Sequence, residues 1–292
     1  MSTIRRGTAL LAGMLVVAAC TGGTAEIPSA VCVGDATTYL SWLEGFEPGT
    51  EPVEHDPIEE ADTAGDLLEA IEEAGVIRIS TDANYEPQSF RDPDGNWVGF
   101  DIDVGTAIAE GLGVEAEFQH QDWDIITAGN WNERWDISVG SMTVTSGRKE
   151  LFSFTQPYYF TPAHLAASER SGVTSLDDLP FEVPADVEAI TRPTDANCIE
   201  DIEAGRTEFD LLMTSGTVID AAIEAGQPIV KVGDPAFIEN LSVAIDKEGP
   251  EHAALLYAID QVIGEMHADG TLSALSEEWF DGVDLTQDPA GD

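Results

Sequence analysis

One stretch of the chain decides its fold, and it lies within residues 77–159. It reads IRISTDANYEPQSFRDPDGNWVGFDID at 77–103, QDWD at 121–124 and WDISVGSMTVTSGRKELFSFTQPYY at 135–159. The β-branched residues that begin the first and third pieces predict strands. The first strand leads to a Gly-containing turn and the GFDID element, and the second opens onto serine, threonine and arginine side chains.

Predicted strands and helices alternate around this stretch. Apolar residues at helical spacing predict helices at 66–74 and 101–112, and two more near the C-terminus separated by Gly270. Further strands are predicted at 114–118, 136–139, 165–168, 209–213, 229–232 and 241–245. Such alternation is typical of α/β proteins with mostly parallel sheets. With 292 residues, 43% of them apolar, the chain can bury one or two cores.

The N-terminus has the features of a processing segment. Arg5 and Arg6 precede an apolar stretch at 9–19 that is too short to span a bilayer. The small residues before Cys20 resemble the bacterial lipobox, in which the cysteine is lipidated and becomes the mature N-terminus. We therefore predict a signal peptide at 1–19 and an extracytoplasmic protein anchored to the membrane by Cys20 alone. An ordinary signal peptide cleaved near Ala19 is the alternative.

The charge balance excludes whole classes of partner. The chain has 12 Lys and Arg against 56 Asp and Glu, a formal net charge of −44. Such a surface repels nucleic acid and anionic lipid. Acids spread along the whole chain, with only three lysines, indicate a halophilic protein, because high salt screens self-repulsion. An acidic interaction tail would have concentrated the acids in one segment.

The order of the pieces at 77–159 resembles the solute-binding proteins that feed polar amino-acid ABC importers, and the similarity extends over 66–285. This resemblance implies a two-lobed periplasmic-binding-protein-like (type II) α/β fold whose two crossing strands form a hinge, expected at 165–168 and 241–245. It also implies that the C-terminal helices return to the first lobe. We predict that lobe 1 comprises residues 66–165 and lobe 2 residues 166–243, and that residues 244–292 return to lobe 1.

One piece of the family pattern is out of place. In the family, the SLDDL element found here at 175–179 leads directly into a strand, turn and helix of the second lobe. Here that unit is missing, and a close match, VCVGDATTYLSWLEG, lies at 31–45. We predict that 31–45 belongs to lobe 2, behind a tether at 20–30 and before an acidic linker at 46–65. The alternative is an unrelated N-terminal extension.

The cysteine count predicts a disulfide. If Cys20 carries lipid, Cys32 and Cys198 remain as a pair in an oxidising compartment. Two separate buried thiols are the alternative. A Cys32–Cys198 bridge would fasten the relocated unit to the second lobe.

A ligand carboxylate has candidate partners in the signature stretch. An arginine suits it best, because the planar guanidinium makes two parallel charge-assisted hydrogen bonds. The resemblance assigns this role to Arg148 with Thr143, and gives Thr38 of the displaced turn the matching place in lobe 2. A helix N-terminus there favours an anion. Ser141, which follows the same predicted strand as Thr143, is a further predicted ligand-binding residue. The alternative for Arg148 is a surface ion pair.

The rest of the ligand has further candidate partners. Tyr85 and Trp123 match the aromatic residues that sandwich the ligand side chain in the family, although each could be ordinary core. Asp82 matches a carboxylate that reaches the far end of the ligand in several relatives, or it caps a turn. Asp101 and Asp103 are expected to order the loop and helix start.

The partner of a ligand ammonium is the open question. The family places an aspartate where this chain has Ser215, and a hydroxyl gives no charge compensation to a buried ammonium. Either another acid, Asp35 or Asp195, takes the role, or the ligand lacks an α-amino group.

These observations favour one function over two others. We predict the substrate-binding component of an ABC importer: a monomer, not an enzyme, without cofactor or metal, that binds a small polar carboxylate and docks on a permease. The alternative is a cyclohexadienyl-type dehydratase on the same fold, which needs a cleft acid with a raised pKa. A receptor sensor module would need a transmembrane helix, and no segment after the signal peptide is apolar for long enough.

Overall fold

A computed structural model describes residues 27–34, 57–183 and 186–287. The predicted signal peptide, Cys20, Asp35 and Thr38 therefore lie outside the described residues, as does the linker up to residue 56. In the described part, no helix combines the length and the apolar character that crossing a bilayer requires.

Eight strands form one mixed sheet, and three short strands form a second one. The bounds are β1 Ala30–Val33, β2 Val76–Thr81, β3 Asn84–Tyr85, β4 Ser89–Arg91, β5 Trp97–Val98, β6 Glu115–His120, β7 Ile137–Thr143, β8 Phe152–Ser168, β9 Glu188–Thr191, β10 Leu211–Ser215 and β11 Ile229–Asp246. The order in the large sheet is β6-β2-β7-β11-β8-β10-β1-β9, and the small sheet is β3-β4-β5. The predicted α/β class is confirmed.

Eight α-helices cover the faces of the sheet in the described residues. They are α1 Leu67–Ala74, α2 Phe100–Leu112, α3 Trp123–Thr127, α4 Ser146–Leu151, α5 Asp195–Glu203, α6 Gly216–Glu224, α7 Ala253–Asp269 and α8 Thr271–Trp279. Asp66 caps α1 by accepting from the Leu68 N–H at 3.0 Å, and it also accepts from the Ala254 N–H at 3.0 Å. One carboxylate therefore joins the start of α1 to the start of α7.

The first lobe is built on β2, β6 and β7. Its core includes Ile77 and Ile79 of β2, Val104 of α2 and Ile259 of α7, all of them buried. Because β2 pairs in parallel with both β6 and β7, helices must cover its faces. The C-terminal helices α7 and α8 pack on this core, as the resemblance implied.

The two longest strands, β8 and β11, run antiparallel to each other and connect the lobes. Toward the first lobe β11 pairs with β7, and toward the second lobe β8 pairs with β10. The predicted crossing segments 165–168 and 241–245 lie on these strands, but each covers only one end of its strand. Pairing shifts between Val232 and Phe237, where β11 passes from one lobe to the other.

The second lobe contains the N-terminal strand. β1 lies between β10 and β9 and runs parallel to both, with Val31 opposite Leu211 and Ala189. All four residues of β1 are buried, as is expected of an apolar strand that is paired in parallel on both sides. The Sγ atoms of Cys32 and Cys198 are bonded at 2.08 Å, which is the pairing predicted from the sequence. This bridge fixes β1 to α5.

Short and irregular elements escaped the sequence analysis. The strands β3, β4 and β5 have two or three residues each and lie in a polar segment without alternation. β9 was not predicted either, because only two of its four residues are apolar and none is fully buried. Longer predicted elements occur within a few residues of their expected places.

Candidate functional site

A cleft of about 630 Å³, its open mouth included, lies where the two lobes meet. Seven of the eight predicted ligand-binding residues line it, and the eighth, Thr38, lies outside the described residues. The seven are Asp82, Tyr85, Trp123, Ser141, Thr143, Arg148 and Ser215. The cleft also has lining residues that the sequence analysis did not assign to the ligand, among them Gly34, Thr194, Thr214 and Glu239.

Arg148 supplies the positive charge of the cleft. It lies on α4, whose N-cap Thr145 accepts from the Arg148 N–H at 3.2 Å, and its Nη1 donates to the carbonyl oxygen of Thr143 at 2.8 Å. The side chain is only 2% exposed, and the Trp123 ring lies 5.4 Å from the guanidinium carbon. Burial lowers the pKa of Arg148 to about 10, and nearby Glu239 opposes that shift. The guanidinium is therefore charged at neutral pH.

Thr143 contacts an acid that the sequence analysis did not identify. Its hydroxyl donates to Oε1 of Glu239 at 2.8 Å. Glu239 lies on β11 and is 6% exposed. Burial raises its pKa to about 7, while the hydrogen bond from Thr143 and the charge of Arg148 act in the opposite direction.

Ser141 is held in an unusual backbone conformation by a buried polar network. Its φ is 54°, a left-handed value that is uncommon for a residue with a side chain. Its hydroxyl donates to Asp101 at 2.8 Å, and its N–H donates to the Tyr158 hydroxyl at 2.9 Å. The Tyr159 hydroxyl donates to the Ser141 oxygen at 2.6 Å. Asp101 thus orders the cleft floor, and burial raises its pKa to about 6.

The remaining first-lobe residues form the side of the cleft. Asp82 accepts from the Asn84 backbone N–H at 2.9 Å and from its side-chain amide at 3.2 Å, as a turn-capping residue does. Tyr85 lines the cleft and also packs against the second-lobe apolar cluster that contains the disulfide. Tyr85 therefore contacts both lobes.

Hydrogen bonds within the second-lobe wall engage its polar groups. Ser215 bonds to the hydroxyls of Thr161 and Thr217, both at 2.8 Å. Asp195 accepts from the Gly34 N–H and from the Thr214 hydroxyl, each at 2.8 Å. Asp195 thereby ties the end of β1 to α5 and β10. Burial raises its pKa.

Glu239 is the main site residue that sequence reasoning missed. The chain has 56 acids, so an acid by itself carries no signal. One feature of the sequence could have indicated it: Glu239 is the one acid between Pro235 and Ile245, and every other residue in that run is uncharged. No group of three or more metal-ligating side chains occurs among residues 27–34, 57–183 and 186–287.

Comparisons with known proteins agree with this architecture. The family described as bacterial extracellular solute-binding proteins, family 3, matches residues 77–282. The L-cystine-binding protein TcyJ of Escherichia coli is 27% identical over 239 residues, which are 76% of this chain and 88% of that protein. The L-arginine-binding protein of Pseudomonas aeruginosa is 27% identical over 233 residues, covering 70% and 87%.

Solved structures show the same two-lobed fold. An ancestral arginine-binding protein bound to arginine aligns with a TM-score of 0.62 at 27% identity, over 70% of this chain and 98% of that one. A substrate-binding protein of an ABC uptake transporter from Streptococcus pneumoniae, with bound histidine, aligns with a TM-score of 0.66 at 23% identity, over 77% and 100%. The chain belongs to the bacterial extracellular solute-binding proteins of family 3.

Proposed function

We propose that this protein captures an amino acid or a closely related carboxylate between its lobes and delivers it to the permease of an ABC importer. The observation that carries the proposal is the buried, charged Arg148 guanidinium in the interlobe cleft. The names of the relatives support it, because they bind L-cystine, L-arginine or histidine.

The cleft chemistry fits a small carboxylate. A guanidinium removed from water gains most from an anion that it can bind with two parallel hydrogen bonds. The Trp123 ring beside it offers an apolar surface for a ligand side chain, and Tyr85 offers a second one. A cleft whose described residues include a buried cation and two aromatic side chains suits a ligand with a charged head and a short body.

Closure of the lobes would transmit the binding event. The side-chain amide of Gln88, in the first lobe, donates to the Thr217 hydroxyl on α6 of the second lobe at 2.6 Å. The connecting strands β8 and β11 give the lobes a common axis. A ligand held by both walls would stabilise the closed form, and the permease would recognise that form.

The N-terminal region would have two roles. The place of β1 in the sheet and its disulfide to α5 support the proposal that 31–45 is the displaced second-lobe unit, with Thr38 completing the carboxylate site. We further propose that Cys20 carries the lipid and that the mature protein works as a monomer on the outer face of the membrane.

A thermal-shift screen in molar KCl tests the function. L-Cystine, L-arginine, L-histidine and L-glutamine are compared with sugars and with carboxylates that lack an amino group. At least one amino acid or carboxylate is expected to raise the melting temperature by several degrees, because ligand binding stabilises only the folded state. If sugars alone stabilise the protein, the proposal is wrong.

A dehydratase acting on cyclohexadienyl acids is the second candidate. Glu239, with a pKa raised to about 7 inside the cleft, has the character of a general acid. An ancestral amino acid-binding protein described as a precursor of cyclohexadienyl dehydratase is 27% identical, with a TM-score of 0.62. Release of an aromatic product from a cyclohexadienyl carboxylate by wild-type protein, but not by Glu239→Gln, would favour this candidate.

A further inference from the structure

Three carboxylates and one guanidinium line the cleft among the described residues. Two of the carboxylates are engaged by protein groups. Asp82 accepts two hydrogen bonds from Asn84, and Asp195 accepts from Gly34 and Thr214. Glu239 accepts one hydrogen bond, from Thr143, and no second donor to it occurs in the described part of the chain. A carboxylate has about four acceptor positions, so Glu239, with one bond, keeps more of them for a ligand than Asp82 or Asp195, which accept two bonds each.

Glu239 and Arg148 have the complementary charges that the head group of an amino acid requires, and both contact Thr143. Thr143 touches both: its carbonyl accepts from Arg148 at 2.8 Å, and its hydroxyl donates to Glu239 at 2.8 Å. One residue therefore contacts a cation and an anion that line the same cleft, and the charge of each acts on the other. An α-amino acid likewise carries a carboxylate and an ammonium, of opposite charge, on a single carbon.

We propose that Glu239 binds the α-ammonium group of the ligand, so that the substrate is an α-amino acid and not a plain carboxylate. This inference rests on the proposed function and sharpens it. In this arrangement the ligand carboxylate lies on Arg148, its ammonium replaces water at Glu239, and Thr143 keeps the two protein groups in register.

Strand pairing places Glu239 near position 215, where the family has the acid that binds the ligand ammonium. In the sheet, Glu239 pairs with Thr161, and the Thr161 hydroxyl bonds to Ser215 at 2.8 Å. A carboxylate on β11 and one at the end of β10 would thus approach the same part of the cleft. Ser215 itself offers only a hydroxyl, which is shared with Thr161 and Thr217.

Several ionisable groups influence Glu239. The charge of Arg148 favours the ionised form of Glu239, and the charge of Asp195 disfavours it. Burial raises the pKa of Tyr85 and of Tyr159, and the charge of Glu239 in turn raises both further. A ligand ammonium would act in the same direction as Arg148. Because burial raises the pKa of Glu239 to about 7, a bound ammonium should drive a proton off this residue near neutral pH.

The test uses matched ligands that differ only in the amino group. L-Arginine is compared with 5-guanidinopentanoate, and L-cystine with 3,3′-dithiodipropionate, by isothermal titration calorimetry on the full mature chain. Wild-type protein should bind an amino acid at least about 30-fold more tightly than its desamino analogue, because the analogue leaves a buried charge without its partner. Glu239→Gln should weaken amino-acid binding by about 30-fold or more and leave the analogue unchanged or improved.

Three controls keep the outcome interpretable. Glu248→Gln removes an exposed acid from the turn that follows β11 and should change neither affinity. Ser215→Asp, added to Glu239→Gln, should restore part of the amino-acid affinity. Circular dichroism establishes that each variant is folded, and Glu239→Asp, which keeps the charge on a shorter side chain, should lose less affinity than Glu239→Gln.

Proton exchange gives an independent readout. Titrations at pH 7 in buffers of different ionisation enthalpy should show proton release when an amino acid binds wild-type protein and none with Glu239→Gln. Proton uptake would place the ligand carboxylate beside Glu239 and overturn the inference. Equal binding of an amino acid by wild type and Glu239→Gln, or equal binding of the matched ligands by wild type, would overturn it as well. If no carboxylate binds at all, the proposed function fails and the inference fails with it.

Discussion

The two walls of the cleft are assembled in different ways. The first-lobe wall, with Trp123, Ser141, Thr143 and Arg148, comes from one continuous stretch of sequence between β2 and α4. The second-lobe wall joins Gly34 at the end of β1 to Asp195, which lies 161 residues away and accepts its N–H. The first wall is therefore a local product of the chain, whereas the second depends on long-range contacts.

This difference shows what a fold must preserve. β1 reaches the centre of the second-lobe sheet from the far N-terminus, and it pairs in parallel with β9 and β10 as a strand supplied by the neighbouring sequence would. Sheet hydrogen bonds depend on position in space and not on the order of segments in the chain. The cost is a long loop to be closed, and the Cys32–Cys198 bond offsets that cost because it restricts the unfolded chain.

The largest expected effect concerns the Cys32–Cys198 bond, whose loss should affect the second-lobe wall more than the first. Cys32→Ser should lower the free energy of unfolding by about 2–5 kcal/mol, because the bridge closes a loop between residues 166 positions apart. The five tryptophans of the described residues all lie in the first lobe, so with Trp42→Phe added the fluorescence transition should occur at higher urea than the far-UV circular dichroism transition of the whole chain. Cys20→Ser is the matched control. Coincident transitions at wild-type stability would mean that β1 contributes little to the second lobe.

The next effect tests the locally built wall. Arg148→Ala should weaken binding of the best ligand from the screen by about 2–5 kcal/mol, because the ligand carboxylate would be desolvated without a charged partner. Lys149→Ala removes a positive charge from the same helix but not from the cleft, and should have little effect. Calorimetry measures both variants. Unchanged affinity in Arg148→Ala would move the carboxylate site to another part of the cleft.

The third prediction concerns Glu239, which lies on the connecting strand β11 and accepts from Thr143 of the first-lobe wall. The folded-state pKa of Glu239, about 7, lies above its ordinary 4.5, so the folded protein binds this proton more tightly than the unfolded chain. The stabilisation is fully present below about pH 4.5 and is lost as the pH rises through 7.

Glu239→Gln should therefore be the more stable protein at pH 8, by at most about 3 kcal/mol for a pKa shift of this size. Its free energy of unfolding, measured by urea denaturation without ligand, should also fall less between pH 5 and pH 8. Asp101, whose pKa is about 6, contributes the same trend to both proteins and does not affect the difference. A variant with the wild-type pH slope would show that Glu239 is ionised at little cost.

The smallest effect per residue is the electrostatic repulsion among the acidic residues of both lobes. With a formal net charge of −44, self-repulsion should destabilise the fold in dilute buffer, and molar salt should screen it. The melting temperature should rise steadily from low to multimolar KCl, by tryptophan fluorescence and by circular dichroism alike. A rise seen with only one of the two signals would show that one lobe carries most of the repulsion, and a flat profile would mean that the charges are already compensated.

The sequence was sufficient for the first-lobe wall because its residues follow one another on strands and helices with clear periodicity. It also predicted the Cys32–Cys198 pair, because these two cysteines are the ones that remain if Cys20 carries lipid. The strands β3, β4 and β5 were missed because each has only two or three residues, and β9 was missed because it is short and pairs with β1, which is distant in sequence. Their local sequence contains no sufficient preference for a strand.

What the sequence alone determined is therefore the α/β class, the family and seven of the fifteen residues that line the cleft. What only the tertiary structure decided is which of many acids lies beside Arg148. Burial and hydrogen bonding select Glu239, and both depend on the register of β11 against β8 and β7. A carboxylate has the same local sequence signature in water and in a cleft, and only the surrounding fold removes it from water and raises its pKa.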